Sequence, residues 1–144
     1  VFGPRQDPNG PYAAVIPLFV TAALEKRSPV INGDGSITRD FTYVKNVVKA
    51  NVNALLDFER PASHEVFNIA CNKTTSLNEL WMIICEYCGV EISPKYGEPR
   101  KGDILHSLAD VSKATQLLGY TNLINIEEGL KETISWYRSL KTVE

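Results

Sequence analysis

The chain has 144 residues, 44% apolar and 22% charged, enough for one domain with its own core, and that balance excludes a disordered or fibrous polymer. Fifteen basic side chains stand against 17 acidic ones with no dense Lys/Arg run, so nothing offers a footprint to a nucleic acid or an anionic membrane, and any bound anion is small. No apolar run approaches the roughly 18 residues of a transmembrane helix, and the first eight residues lack a signal peptide's basic start and apolar centre, so a cytoplasmic location is expected.

In chain order, Val1-Phe2-Gly3-Pro4 reads as the tail of a strand entering a loop, as in a piece of a longer protein, and the turn formers from Gln6 to Tyr12 lead into a helix with Pro17 in its first turn. Ile16, Phe19, Val20, Ala23 and Leu24 recur at helical spacing, and Lys26-Arg27-Ser28-Pro29 closes that helix. Ile31 to Val44 reads as two short strand-like arms reversed through Asn32-Gly33-Asp34-Gly35, a predicted hairpin, because glycine supplies the positive φ a tight reversal needs. Val47, Val48, Val52, Leu55 and Leu56 predict a second helix with its apolar face buried, with Asn46 as a possible cap and Arg60-Pro61 as its stop. Glu65 to Cys71 is almost wholly apolar, as expected of a strand covered on both faces whose partners lie elsewhere in the protein.

Ser76-Leu77-Asn78-Glu79 is a capping box that opens a helix through Leu80, Trp81, Ile84, Cys85 and Cys88 to Gly89. Pro94 to Arg100 is extended, and Arg100-Lys101-Gly102-Asp103 turns into Ile104-Leu105-His106-Ser107. Asp110 caps a short helix ending at Gly119, and Asn125 with Glu128 starts the last one through Ile126, Leu130, Ile134 and Tyr137. The pattern is α/β in an α+β-like form: about five helices with short strands.

Candidate chemistry is sparse. Arg39 and Asp40 form either a surface ion pair or, with Arg39 turned into a pocket, part of an anion site, since a guanidinium fork fits phosphate oxygens. Arg100, Lys101 and Asp103 are either a solvated loop or a second cation with a carboxylate for sugar hydroxyls, and His106 is either a hydrogen-bonded core group or a general acid or base. Cys85-x-x-Cys88 lacks the second ligand pair of a structural zinc and lies in an apolar helix, so metal chemistry is not expected. Tyr137 and Lys141 have a Tyr-x-x-x-Lys spacing that, so near a chain end, reads as packing and surface. No Gly-x-Gly-x-x-Gly or Gly-x-x-Gly-x-x-Gly fingerprint, phosphate loop or Gly-x-Ser-x-Gly elbow occurs.

Taken together and in order, Val1-Phe2-Gly3-Pro4-Arg5-Gln6, Pro8-Asn9-Gly10, Tyr12 to Pro17, Gly33-Asp34-Gly35, Arg39-Asp40-Phe41-Thr42-Tyr43-Val44 and Gly102-Asp103 resemble the C-terminal part of the extended short-chain dehydrogenase/reductase family. The likeness is to its nucleotide-sugar 4-epimerases, particularly the UDP-N-acetylglucosamine 4-epimerase branch, with Lys45 departing from the usual aspartate. The resemblance implies a substrate-binding domain over residues 1–144, normally packed against an N-terminal Rossmann domain that this chain lacks and that holds NAD and the catalytic tyrosine and lysine. It implies diphosphate binding by Arg39 and Arg100, ribose binding by Asp103, and Ala14 and Val15 along the uridine, with no catalytic residue in this chain. It further implies that 66–70 joins the Rossmann sheet, a homodimer when full-length, a UDP-sugar as substrate, a role in polysaccharide biosynthesis, and C4 epimerisation by oxidation and re-reduction. The chain alone is then inactive. A related dehydratase, decarboxylase or reductase, or a stand-alone binding module, is the alternative.

Overall fold

A computed structural model describes residues 1–8, 14–56, 65–121 and 123–141. Asn9 to Tyr12, the Arg60-Pro61 stop and His64 lie outside the described residues. The architecture is the expected small mixed one, five helices with short strands. Helix α1 (Val15–Leu24) turns Ile16, Phe19, Val20 and Ala23 inward. Helix α3 (Leu77–Cys88) begins on the predicted capping box, Ser76 accepting from the Glu79 N–H at 3.2 Å and Glu79 from the Ser76 N–H at 2.8 Å. Gly89 ends it in the left-handed region at φ 69°. Helix α5 (Ile126–Lys141) starts where Asn125 Oδ1 accepts from the Glu128 N–H at 2.8 Å.

Apolar faces of α1, α3 and α5 converge on one core containing Phe19, Val20, Leu80, Ile84, Leu130 and Ile134. Phe19 meets Trp81 edge-on at 5.4 Å, and the Trp81 indole N–H donates to the Ile92 carbonyl at 2.7 Å, so the one polar atom of that large ring is satisfied. Tyr137 belongs to this core and gives its hydroxyl proton to the Gln6 carbonyl, a packing role. Cys85 is buried there too. Burial pushes the Cys85 and Cys88 thiols up, away from the thiolate form a metal or redox site needs. No group of three or more His, Cys, Asp or Glu side chains able to hold a metal occurs among the described residues.

Strand pairing corrects the hairpin expectation. The reversal exists: Gly33 and Gly35 sit at φ 74° and 77°, and Asp34 Oδ1 accepts from the Ser36 N–H at 2.9 Å. Its two arms part company. Strand β1 (Val30–Asn32) pairs in parallel with β4 (Lys95–Gly97), whereas β2 (Thr38–Arg39) pairs antiparallel with β3 (Thr75–Ser76). Five residues, Gly33 to Ile37, separate the arms, and each arm finds its hydrogen-bond partner elsewhere.

Helix α2 (Val44–Leu56) also departs from expectation. Asn46 is no cap but a buried residue of the first turn, with Nδ2 donating to the Ile124 carbonyl at 2.8 Å and Oδ1 accepting from the Ile124 N–H at 2.9 Å. Asn53 donates to the Leu118 carbonyl at 2.8 Å, and Ala50 packs in a second small cluster with Ala114 and Tyr120 from the region of α4 (Ser112–Leu118). The inward face is therefore polar or small. Val48, Val52, Leu55 and Leu56, expected inside, are exposed on the other side. The 65–69 segment is not a strand among the described residues: Val66 is 83% exposed, while Phe67 and Ile69 lean on the second cluster. Asp110 sits one position before the cap of α4, which Val111 occupies, and its Oδ1 accepts from the Ser112 N–H at 2.8 Å.

Candidate ligand cleft

Two crossings bring distant segments beside α1. The β1–β4 ladder carries the chain past Gly97 toward Arg100, and further on the Thr38 N–H donates to the Leu105 carbonyl at 3.0 Å while Thr38 Oγ1 contacts His106 Nδ1 at 3.0 Å. The loop holding Arg100 and Asp103 is thus tied at both ends to the strands around Arg39. Gly102 shapes its turn at φ 88°, and the Asp103 N–H donates to the Arg100 carbonyl at 3.2 Å.

Between these segments lies a cleft of about 470 Å³ to which Val15, Arg39, Arg100 and Asp103 all contribute. Four of the five candidate site residues are therefore gathered by the fold. Ala14 precedes Val15 at the cap of α1, with extended backbone at φ −77° and ψ 152°, and is not among the lining residues. Leu18, Phe19, Ala22, Ile37 and Leu77 give the cleft apolar walls, and Arg27 adds a third guanidinium. Arg27 is already paired with Glu25, its Nε donating to the carboxylate at 2.7 Å, which leaves the forks of Arg39 and Arg100 against the single carboxylate of Asp103 and a locally positive hollow in a chain whose net charge is −2. Its size suits a small organic ligand, with walls for an apolar ring and cations for an anion.

The charged pair at the end of β2 divides its work. Asp40 gives both carboxylate oxygens to backbone, accepting from the Cys71 and Asn72 N–H groups at 2.9 Å each, and so supports Asn72 at φ 54°. Arg39 Nη1 donates to the Thr38 carbonyl at 2.8 Å, and no ion pair joins Arg39 to Asp40 among the described residues. Its remaining donors stay available to an anion in the cleft. Lys45, at the position that departs from the family pattern, pairs with Glu132 at 2.6 Å, and the Tyr43 hydroxyl donates to the same carboxylate at 2.7 Å. His106 is exposed, so the core-group reading does not hold for the described chain.

Sequence reasoning missed Arg27, Val30, Asn32 and Leu77 as lining residues. Arg27 stood only as part of a helix stop and Leu77 as part of a helix face, and no local pattern distinguishes either from those roles. A dinucleotide cofactor does not fit the residues present, since the described strands form only two short pairs and no glycine-rich strand-to-helix turn occurs in the sequence.

Residues 1–70 match the model of the NAD dependent epimerase/dehydratase family. A UDP-glucose 4-epimerase of Mycolicibacterium smegmatis is 37% identical over 140 residues, 96% of this chain and 43% of that protein. The solved UDP-glucose 4-epimerase of Thermotoga maritima, with UDP-glucose, superposes with a TM-score of 0.88 at 40% identity over 99% of this chain and 44% of that one. A UDP-N-acetylglucosamine 4-epimerase of Methanobrevibacter ruminantium, in complex with UDP-N-acetylmuramic acid, gives 0.86 at 44% identity over 96% of this chain and 44% of that one. More distant relatives, 32% identical, include a UDP-N-acetyl-alpha-D-glucosaminuronate decarboxylase of Bacillus cytotoxicus. The chain spans less than half the length of these relatives.

Proposed function

The chain is a homologue of the NAD dependent epimerase/dehydratase family, with UDP-sugar 4-epimerases among its relatives, and on that premise we infer that it forms the nucleotide-sugar-binding part of such a 4-epimerase. The observation that carries this reading is the single cleft into which separate segments deliver Val15, Arg39, Arg100 and Asp103. A diphosphate places two negative charges within one hydrogen-bonding span of each other, and two guanidinium forks on facing segments answer it. In this reading Arg39 and Arg100 hold the diphosphate, Asp103 accepts from ribose hydroxyls, and Ala14 and Val15 lie along the base. The chain's share of catalysis is to hold the sugar in one place and orientation.

The substrate pair we propose is UDP-N-acetylglucosamine and its galacto epimer, supported by the 44% identity to an enzyme that acts on that sugar. NAD and the acid–base residues belong, in this proposal, to a Rossmann part of the whole protein, and residues 1–144 do not turn over alone. The exposed stripe of Val48, Val52, Leu55 and Leu56 on α2 supports a further part of the protein packing there, because an apolar stripe of that length is costly in water. A second reading, decarboxylation or dehydration of a nucleotide sugar, draws on the relatives with those activities.

Product analysis separates these readings. The protein as encoded, incubated with UDP-N-acetylglucosamine, is expected to yield UDP-N-acetylgalactosamine with mass unchanged, while residues 1–144 alone yield nothing. A product lighter by water from that substrate, or by carbon dioxide when its C6 uronate is supplied instead, would overturn the epimerase assignment, and turnover by the isolated chain would overturn its incapacity.

A further inference from the structure

The two arginines lie on separate segments, and each depends on an element some distance behind it. Arg39 follows the 33–35 turn by four residues, and Arg100 follows Tyr96 of β4 by four. One side chain touches both supports. Asn78, the second residue of α3, donates from Nδ2 to the Asp34 carbonyl at 2.9 Å and accepts at Oδ1 from the Tyr96 hydroxyl at 3.0 Å. Its backbone N–H donates to the Gly35 carbonyl at 3.2 Å. Packing closes the arrangement, since a Cβ on Gly35 would fall 2.1 Å from Asn78 Oδ1, and only glycine lets the turn come so near.

We propose that Asn78 and Tyr96 form a clip that sets the distance between the two guanidinium-bearing segments, making them positioning residues for diphosphate binding; this rests on the nucleotide-sugar reading above. Three features make Asn78 suited to the task. Its backbone is fixed at the start of α3 by the Ser76–Glu79 capping box, so the carboxamide projects from a rigid base. A carboxamide both donates and accepts, and here one function goes to each segment. Neither Asn78 nor Tyr96 lines the cleft, so they act through the segments they join. The β1–β4 ladder, with Ile31 opposite Tyr96 and Asn32 opposite Gly97, and the Gly33 N–H donating to the Gly97 carbonyl at 2.9 Å, fixes the strands along their length. The clip fixes the turn and β4 against α3, a direction that the two-stranded ladder leaves open.

A clip of this kind matters to a ligand that touches both arginines and not to one that touches neither. Tyr96→Phe removes one neutral hydrogen bond and is expected to weaken UDP binding about fivefold, with Asn78→Ala costing about tenfold. Uridine lacks phosphates, and its ribose would meet Asp103 at the loop end that the Thr38–Leu105 bond holds independently of the clip, so it should bind both variants within about twofold of the unaltered protein. In an Arg100→Ala background, Tyr96→Phe should leave UDP affinity unchanged, because the arm it positions no longer carries its guanidinium.

The experiment is calorimetric titration with UDP and ligand-observed NMR titration with uridine, on the protein as encoded. Selective loss of UDP affinity, abolished by Arg100→Ala, supports the clip. Equal loss for UDP and uridine, or no loss for either, overturns it, since the first marks general loosening and the second an idle contact. No UDP binding by the unaltered protein overturns the nucleotide-sugar reading and the clip together, whereas binding that answers to Arg39→Ala and Arg100→Ala but not to Tyr96→Phe or Asn78→Ala overturns the clip alone.

Discussion

Replacing Asn46 with alanine tests how the fold is held where the chain returns from α4 to α5. Asn46 is 2% exposed, and its carboxamide occupies both hydrogen-bonding groups of Ile124 at 2.8 and 2.9 Å. Asn46→Ala leaves that N–H and that carbonyl without partners; a fully buried unsatisfied group costs about 1 to 3 kcal/mol, and Ile124 is half-buried, so the pair costs toward the lower part of the summed range. The better helix propensity of alanine returns roughly 0.5 kcal/mol. A net loss of about 2 to 4 kcal/mol is expected. With a urea m-value of roughly 1 to 3 kcal/mol/M, a loss of about 3 kcal/mol lowers the midpoint by at least about 1 M at constant m, measurable by far-UV circular dichroism. Asn46→Asp keeps an acceptor for the Ile124 N–H but sets a carboxylate against the Ile124 carbonyl, so it should destabilise as well. A midpoint unmoved in Asn46→Ala would refute the reasoning, because water or a neighbour would then be serving Ile124.

Two further expectations concern packing and charge. In α5 a Cβ on Gly129 would lie 2.8 Å from the Tyr43 ring and 2.9 Å from Phe2, both buried, so Gly129→Ala should lower the thermal midpoint by the equivalent of about 1 to 2 kcal/mol despite its better helix propensity, and a raised midpoint would contradict the close approach. The Glu132 carboxyl is held below its ordinary value of 4.5, first by the hydrogen bond from Lys45 and then by that from Tyr43, so its contribution is fully present above about pH 4.5 and is lost as pH falls through the lower folded value. Glu132→Gln should flatten that acid limb of the stability curve by a small amount, the pair being half exposed, and an unchanged limb would show the contact to be inert.

Local chemistry was legible wherever its partners lay within a few residues. The Ser76–Glu79 box, the Gly89 stop, the Asn125 start and the inward faces of α1, α3 and α5 all formed as the residues indicated. The 33–36 turn was legible too, but the pairing of its arms was not, because β1 takes its partner from residues 95–97 and no local pattern specifies that choice. On α2, periodicity marked an apolar face without saying what would cover it, and hydrogen bonds from Asn46 and Asn53 to distant carbonyls decided which side turned inward. The stretch at 65–71 was expected to find its strand partners elsewhere in the protein, and within the described chain it forms no strand and its cover reaches only Phe67, Ile69 and Ala70. At the candidate site, the residues alone offered Arg39 and Arg100 as either surface charges or anion-binding cations, and the resemblance chose the second. Their union in one cleft depends on a parallel ladder and on the Thr38–Leu105 bond, which sequence spacing cannot supply.

The nucleotide-sugar assignment meets its most direct test in calorimetric titration of the protein as encoded with UDP. Arg39→Ala and Arg100→Ala are each expected to weaken binding by about 1 to 3 kcal/mol, roughly five- to 150-fold, through lost charge-assisted hydrogen bonds. Unchanged UDP affinity in both variants would contradict the account.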